Sequence, residues 1–160
     1  MKHLFIGRHA SYDSEGRISA EGKKELDFLS EQIKQVLNGG SAHIVTSTAP
    51  RALDSAEVLK KNLNATVVEE PYLWSGTDAP EDSFYTDRNY DRVVDIINKH
   101  KDNADAVIVL SHLEVVDDVP RGYACRELGI YNSIGSISKG EAYYFNLEKK
   151  EVSALKRHLF

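Results

Sequence analysis

Two histidines and two arginines in this 160-residue chain stand where chemistry is easiest to arrange. His9 follows the apolar run HLFI at 3–6, separated from it by Gly7 and Arg8, and His112 follows AVIVL at 106–110 after Ser111. Arg51 lies just past a third apolar segment, Ala42 to Val45. Short apolar runs of this kind predict buried strands. In open parallel sheets the carboxyl ends of strands and the following helix N-termini form the usual ligand crevice. Arg8, His9, Arg51 and His112 are therefore expected to converge, although the three segments are more than forty residues apart.

Together these side chains favour an anion. Arginine presents a fork of donors that holds two phosphate oxygens, and a helix N-terminus adds unpaired N–H groups. Histidine can attack phosphorus when its other ring nitrogen is anchored, and a second histidine can donate to the phosphoryl oxygens. Plain readings stand beside these. His9 can be a loop histidine, His112 a satisfied histidine behind a core strand, and Arg51 a surface arginine on an amphipathic helix. Zinc is the chemical rival, since two histidines and an acid could hold it. Adjacent arginines repel a bare cation, however, and no HExxH or cysteine pair occurs, so no metal or other cofactor is expected. His3, His43, His100 and His158 lack the same context, although His43 falls inside a predicted strand.

The elements that must position these residues follow from periodicity. Ser19 can cap a helix over 20–38, where Leu26, Leu29, Ile33 and Val36 or Leu37 recur at helical spacing, with Gly39 and Gly40 ending it. Thr48 is the expected cap of a second helix that carries Ala52, Ala56, Leu59 and Leu63 on one face, with Pro50 in its first turn. TVV at 66–68 predicts a strand, and DRNYDRVVDIINKHK a helix striped by Tyr90, Val93 or Val94, and Ile97. GEAYYFNLEKKEVSALK predicts one or two late strands with a turn near Glu148–Lys150. The alternation points to a three-layer α/β/α sandwich around a mainly parallel sheet, in one domain spanning 1–160.

Composition narrows the classes. Twenty basic residues against twenty-five acidic ones give a net charge of −5, which argues against a nucleic-acid binder. Cys125 is the single cysteine, so no internal disulfide forms. No apolar stretch approaches a membrane span, and MKHLFIGRHA lacks the apolar segment of a signal peptide; a cytoplasmic location is expected. Asn62 to Asp87 carries six acids and no Lys or Arg. That stretch is either a solvated loop or a pocket wall that discourages highly anionic metabolites, made partly apolar by Tyr72, Trp74, Phe84 and Tyr85. Arg121, Tyr123 and Arg126 are candidate rim contacts.

In family order, several segments resemble the histidine phosphatase superfamily, also called phosphoglycerate mutase-like. FIGRHA at 5–10 resembles its strand-plus-RHG signature, and GRISAEG at 16–22 the element that follows. TSTAPRALDSA at 46–56 is similar to the segment carrying the second phosphate-binding arginine, and VLSHLEVV at 109–116 to that of the second histidine. KGEAYYFNLEKKEVSAL resembles the closing strands. The resemblance implies a phosphoglycerate mutase-like fold and a metal-independent phosphatase. His9 would be transiently phosphorylated, Arg8, Arg51 and His112 would bind the phosphoryl oxygens, and inorganic phosphate would be the product.

The departures bear on substrate. Ala10 replaces the family glycine, and Thr48 and Ala49 replace Pro and Leu. Ser75 stands nearest the position where larger relatives place a catalytic glutamate, leaving Glu69, Glu70 and Asp78 as displaced acids, with Asp78 preferred because it follows the Ser75–Gly76 turn. Compact size resembles the small bacterial phosphohistidine phosphatases, so phosphohistidine on a protein is the expected substrate, its imidazole leaving without a strongly placed acid. The alternatives are a small-metabolite phosphomonoesterase, a mutase-like enzyme, or a noncatalytic phosphate or phosphoprotein sensor.

Overall fold

The computed structural model describes residues 1–157; His158 lies outside the described residues. Four parallel strands run from one edge to the middle of one six-stranded sheet: β1 (His3–Arg8), β2 (Ala42–Thr46), β3 (Thr66–Glu69) and β4 (Ala106–Ser111). A hairpin of β5 (Ala142–Asn146) and β6 (Glu151–Leu155) adds antiparallel to β1, giving the order β3-β2-β4-β1-β5-β6. The late strands are thus two, with the turn closing at Lys150 in the left-handed region (φ 56°).

Alternation along the central strands divides the core into two faces. Leu4, Ile6, Val45, Val107 and Val109 point to one side, where they meet Val93 and Ile97 of α4 (Tyr90–His100) and Val116 and Val119 of α5 (Leu113–Leu128). Phe5, Ile44, Ile108 and Leu110 point to the other, against Leu26, Leu29 and Ile33 of α1 (Ala20–Leu37) and Ala56 and Leu59 of α2 (Pro50–Leu63). Every residue of β4 is buried, which is why its sequence is apolar without alternation. The result is the three-layer arrangement expected, with a short α3 (Phe84–Asp87) inside the β3–α4 connection.

Helix starts explain two details. Ser19 caps α1 by accepting from the Gly22 N–H, and Asn38, one residue before the expected glycines, ends the helix in the left-handed region at φ 46°. Thr48 does not cap α2. The cap is Ala49, with no side-chain hydrogen bond, because Pro50 occupies the first helical position and holds its predecessor extended. Gly22 is required by crowding: a Cβ there would fall 2.2 Å from the Ser11 carbonyl oxygen, so α1 packs directly on the loop that leaves β1. Among the described residues no helix is long and apolar enough to cross a membrane.

Candidate active site

β1 and β4 are adjacent and in register, Arg8 opposite Ser111, so the residues that follow them leave the sheet side by side. The His9 N–H donates to the Ser111 carbonyl at 3.0 Å, and the imidazoles of His9 and His112 lie with centroids 4.9 Å apart. Both rings are buried, at 3% and 2% exposure. His9 Nδ1 donates to the Ala10 carbonyl at 3.0 Å; a carbonyl can only accept, so Nδ1 carries the proton and Nε2 keeps its lone pair. Burial, reinforced by the charges of Arg51, Arg8 and Lys139 and opposed by the Ala10 bond, pushes His9 down from 6.5 to about 4. Burial together with His9 and Arg51 pushes His112 to about 2. Both rings are neutral at neutral pH.

His112 shares a 2.7 Å hydrogen bond through Nε2 with the hydroxyl of Ser47, while its buried Nδ1 has no partner among the described residues. Trp74 stacks on it, ring centroids 6.3 Å apart and 16° from parallel. On the other flank Tyr12 meets His9 edge-on at 5.4 Å, and its own ring carries the Arg51 guanidinium at 5.3 Å and Lys139 Nζ at 4.7 Å. Arg8, Arg51 and Lys139 therefore surround the histidine pair. The buried Nε atoms of Arg8 and Arg51 find no acceptor among the described residues, so both guanidinium groups retain donors for an anion.

Asp78 lies on Arg51, accepting from Nη1 at 2.9 Å and Nη2 at 3.2 Å, and its Oδ1 also accepts from Trp74 Nε1 at 3.2 Å. The Arg51 bond holds its carboxyl below the usual range. Gly76 makes the approach possible: it sits at φ 120°, and a Cβ there would come within 3.2 Å of Asp78 Oδ1. The other two acids go elsewhere. Glu70 accepts from Lys99 and His100, and Glu69 ends β3 exposed.

The loop after His9 is braced from behind. Buried Glu25 accepts from the Ser11 N–H at 2.9 Å and hydroxyl at 2.6 Å, and from Arg157 at 3.0 Å. Ser55 accepts from the Ala10 N–H and donates to the Arg51 carbonyl, tying the two arms of the site together. The residues expected at the rim behave differently. Tyr123 packs in the core against Phe145, Arg126 covers the Tyr90 ring, and Arg121 donates to the Asp117 and Gly135 carbonyls. Tyr72 and Phe84 are likewise core residues rather than a wall. Tyr12, Ser47 and Lys139 were not distinguishable in sequence; Ser47, a polar residue at a strand end like Ser111, carried the one available signal. Among the described residues no group of three His, Cys, Asp or Glu is placed to hold a metal ion.

No family model and no curated protein matches the sequence, but solved structures match its architecture. The protein histidine phosphatase SixA complexed with tungstate superposes with a TM-score of 0.60 at 17% identity, covering 95% of this chain and 93% of that one. Phosphoglycerate mutase from Plasmodium falciparum gives 0.54 at 20% identity, covering 99% and 94%. The mycobacterial glucosyl-3-phosphoglycerate phosphatase complexed with VO3 gives 0.60 at 15%, covering 90% and 92%. The fold is phosphoglycerate mutase-like. In this phosphoglycerate mutase-like sheet the strand order reverses direction between β1 and β4, and His9 and His112 leave the carboxyl ends of those two strands.

Proposed function

We propose that the protein is a metal-independent phosphatase that works through a phosphorylated His9. One observation carries the reading: a buried, neutral imidazole whose Nδ1 is tied to a backbone carbonyl, leaving Nε2 free between two arginines that retain unpaired donors. The Nε2 lone pair forms the bond to phosphorus while the bond to the leaving group breaks. Arg8 and Arg51 hold the phosphoryl oxygens, whose charge spreads in the transition state. With the Ser47 hydroxyl donating to Nε2, His112 presents an Nδ1–H to another of those oxygens. Water then attacks phosphorus, the P–N bond returns its electron pair to His9, and phosphate leaves. Neighbours of the same fold solved with tungstate and VO3, both phosphate-like oxyanions, support a phosphate-binding reading.

Substrates are phosphorylated proteins or small phosphate compounds. The β3–α4 connection holds only a 3-10 turn (Pro71–Leu73) and the four-residue α3, so phosphohistidine on a protein surface suits the size of the molecule. The Asp78 carboxylate, whose charge acts on His112, favours a second reading, in which oxygen esters are cleaved. Quenching in alkaline detergent during turnover of a reactive phosphate donor should trap a label on His9 in the wild type, stable to alkali and lost in acid, and none in His9→Ala. Labelling and turnover undiminished by that substitution would reject His9 as the nucleophile. Persistent phosphate binding with no product would mark a sensor.

A further inference from the structure

Two buried carboxylates stand behind the histidine crevice with one cation between them. Glu25 of α1 and Glu141, at the entrance to β5, are 3% and 6% exposed, and neither belongs to the phosphoryl clamp. Each holds one arm of the site. Glu25 accepts from the N–H and hydroxyl of Ser11, two residues after His9. Glu141 Oε1 accepts at 2.7 Å from the N–H of Ser138, one residue before Lys139. The arms meet at Gly140, whose N–H reaches the Arg8 and His9 carbonyls at 3.2 and 3.1 Å. A Cβ on Gly140 would fall 2.6 Å from that of Glu25, so the arms are in direct contact. Among the described residues Arg157, just past β6, is the only cation paired with either carboxylate. Its Nη1 lies 3.0 Å from Glu25 Oε2 and its Nε 3.9 Å from Glu141 Oε2, to which its backbone N–H donates at 2.7 Å. Glu21, exposed on the first turn of α1, is a further acid facing it at 3.8 Å.

We infer that Arg157 is a positioning residue for His9, acting through Glu25. Removing one partner of a buried ion pair leaves the other charge uncompensated, and that charge is relieved by moving toward water. For Glu25 such a movement carries Ser11 with it, and so the turn that buries His9 and aims its Nε2. Glu141 is less affected, because the Arg157 backbone N–H stays whatever the side chain. The guanidinium gives Glu25 one hydrogen bond rather than a bidentate pair, so a lysine ammonium can take its place. The effect on turnover rests on His9 being the nucleophile; the effect on the His9 ring does not.

Histidine NMR titration and kinetics together test this. His9 titrates near 4 in the wild type. In Arg157→Ala its resonance should titrate about one unit or more higher as burial is lost. His112, on the β4 arm, should stay neutral over the same range. The kcat/KM for p-nitrophenyl phosphate should fall about 10²-fold, as for other small misplacements of a reacting group, and Arg157→Lys should recover most of it. Glu25→Gln removes the charge that needs Arg157 while still accepting from the Ser11 N–H. In that background Arg157→Ala should cost less than about threefold, and the double variant keeps the test open if Arg157→Ala alone fails to fold. An unchanged His9 titration in Arg157→Ala, His9 and His112 moving together, or an equal cost with and without the Glu25 charge would overturn the positioning role. Turnover with no His9 label in the wild type would instead overturn the phosphatase reading, and the titration would still decide the role of Arg157.

Discussion

Keeping the proposed nucleophile dry should make the protein acid-sensitive in a measurable way. His9 is buried and titrates near 4 in the folded chain against 6.5 when free. Between those values the unfolded chain binds a proton that the folded chain does not. Stability therefore falls as pH falls, by about 1.4 kcal/mol per pH unit for this one residue. Carried from 6.5 down to 4, the loss is about 3 kcal/mol, a sizeable part of the 5–15 kcal/mol that holds a typical domain together. His112, lowered to about 2, works in the same direction and contributes a similar loss over that interval. Urea unfolding followed between pH 7 and about 4 would read the slope for wild type, His9→Gln and His112→Gln. Glutamine keeps a buried polar group but does not titrate, so its own cost is constant with pH. Each variant should give a stability curve flatter by about 1.4 kcal/mol per pH unit below pH 6. Curves parallel to the wild type would refute the burial of neutral imidazoles on which the nucleophile rests.

Two further outcomes concern the arginine clamp. Arg51→Ala should retain the His9 label but cost about 2–4 kcal/mol in transition-state stabilisation, roughly 30-fold to 1000-fold in kcat/KM. A cost confined to KM would mark Arg51 as a ground-state anchor. Asp78→Asn removes the charge that competes with phosphate for Arg51. Because Asp78 is half exposed the pair is worth at most about 1 kcal/mol, so titration calorimetry should show phosphate binding up to about fivefold tighter. Weaker binding would show that Asp78 orients Arg51 rather than competing for it.

Strand ends were the legible part of the fold. Continuous apolar runs such as AVIVL have one physical use in a domain of this size, a strand covered on both faces, and polar residues directly after them must surface at the sheet edge. His9 and His112 could be located that way. α5 was hidden because Pro120 and a sequence rich in Asp, Glu and Arg obscure its buried stripe of Val115, Val116, Val119 and Tyr123. The pairings of Ser75 with Glu114 and of Asp78 with Arg51 join residues 39 and 27 positions apart across loops, where no periodicity exists to read. The capping error at Thr48 has a local cause, the proline two residues on, that outranked the side-chain preference.

Strand order also sets a timetable. β1 lies between β4 and β5, pairing His3 with Ala106 on one side and with Asn146 on the other. A ribosome therefore releases the segment bearing His9 about a hundred residues before either neighbour exists, and the Arg157 contact to Glu25 arrives later still. Until then β1 is an apolar strand with both edges bare, the condition under which nascent chains pair wrongly or need a chaperone. Such distant pairings also slow spontaneous refolding, because loop closure must precede the contacts that reward it. Recovery of His9 reactivity should consequently be among the last events when the denatured chain is returned to native conditions.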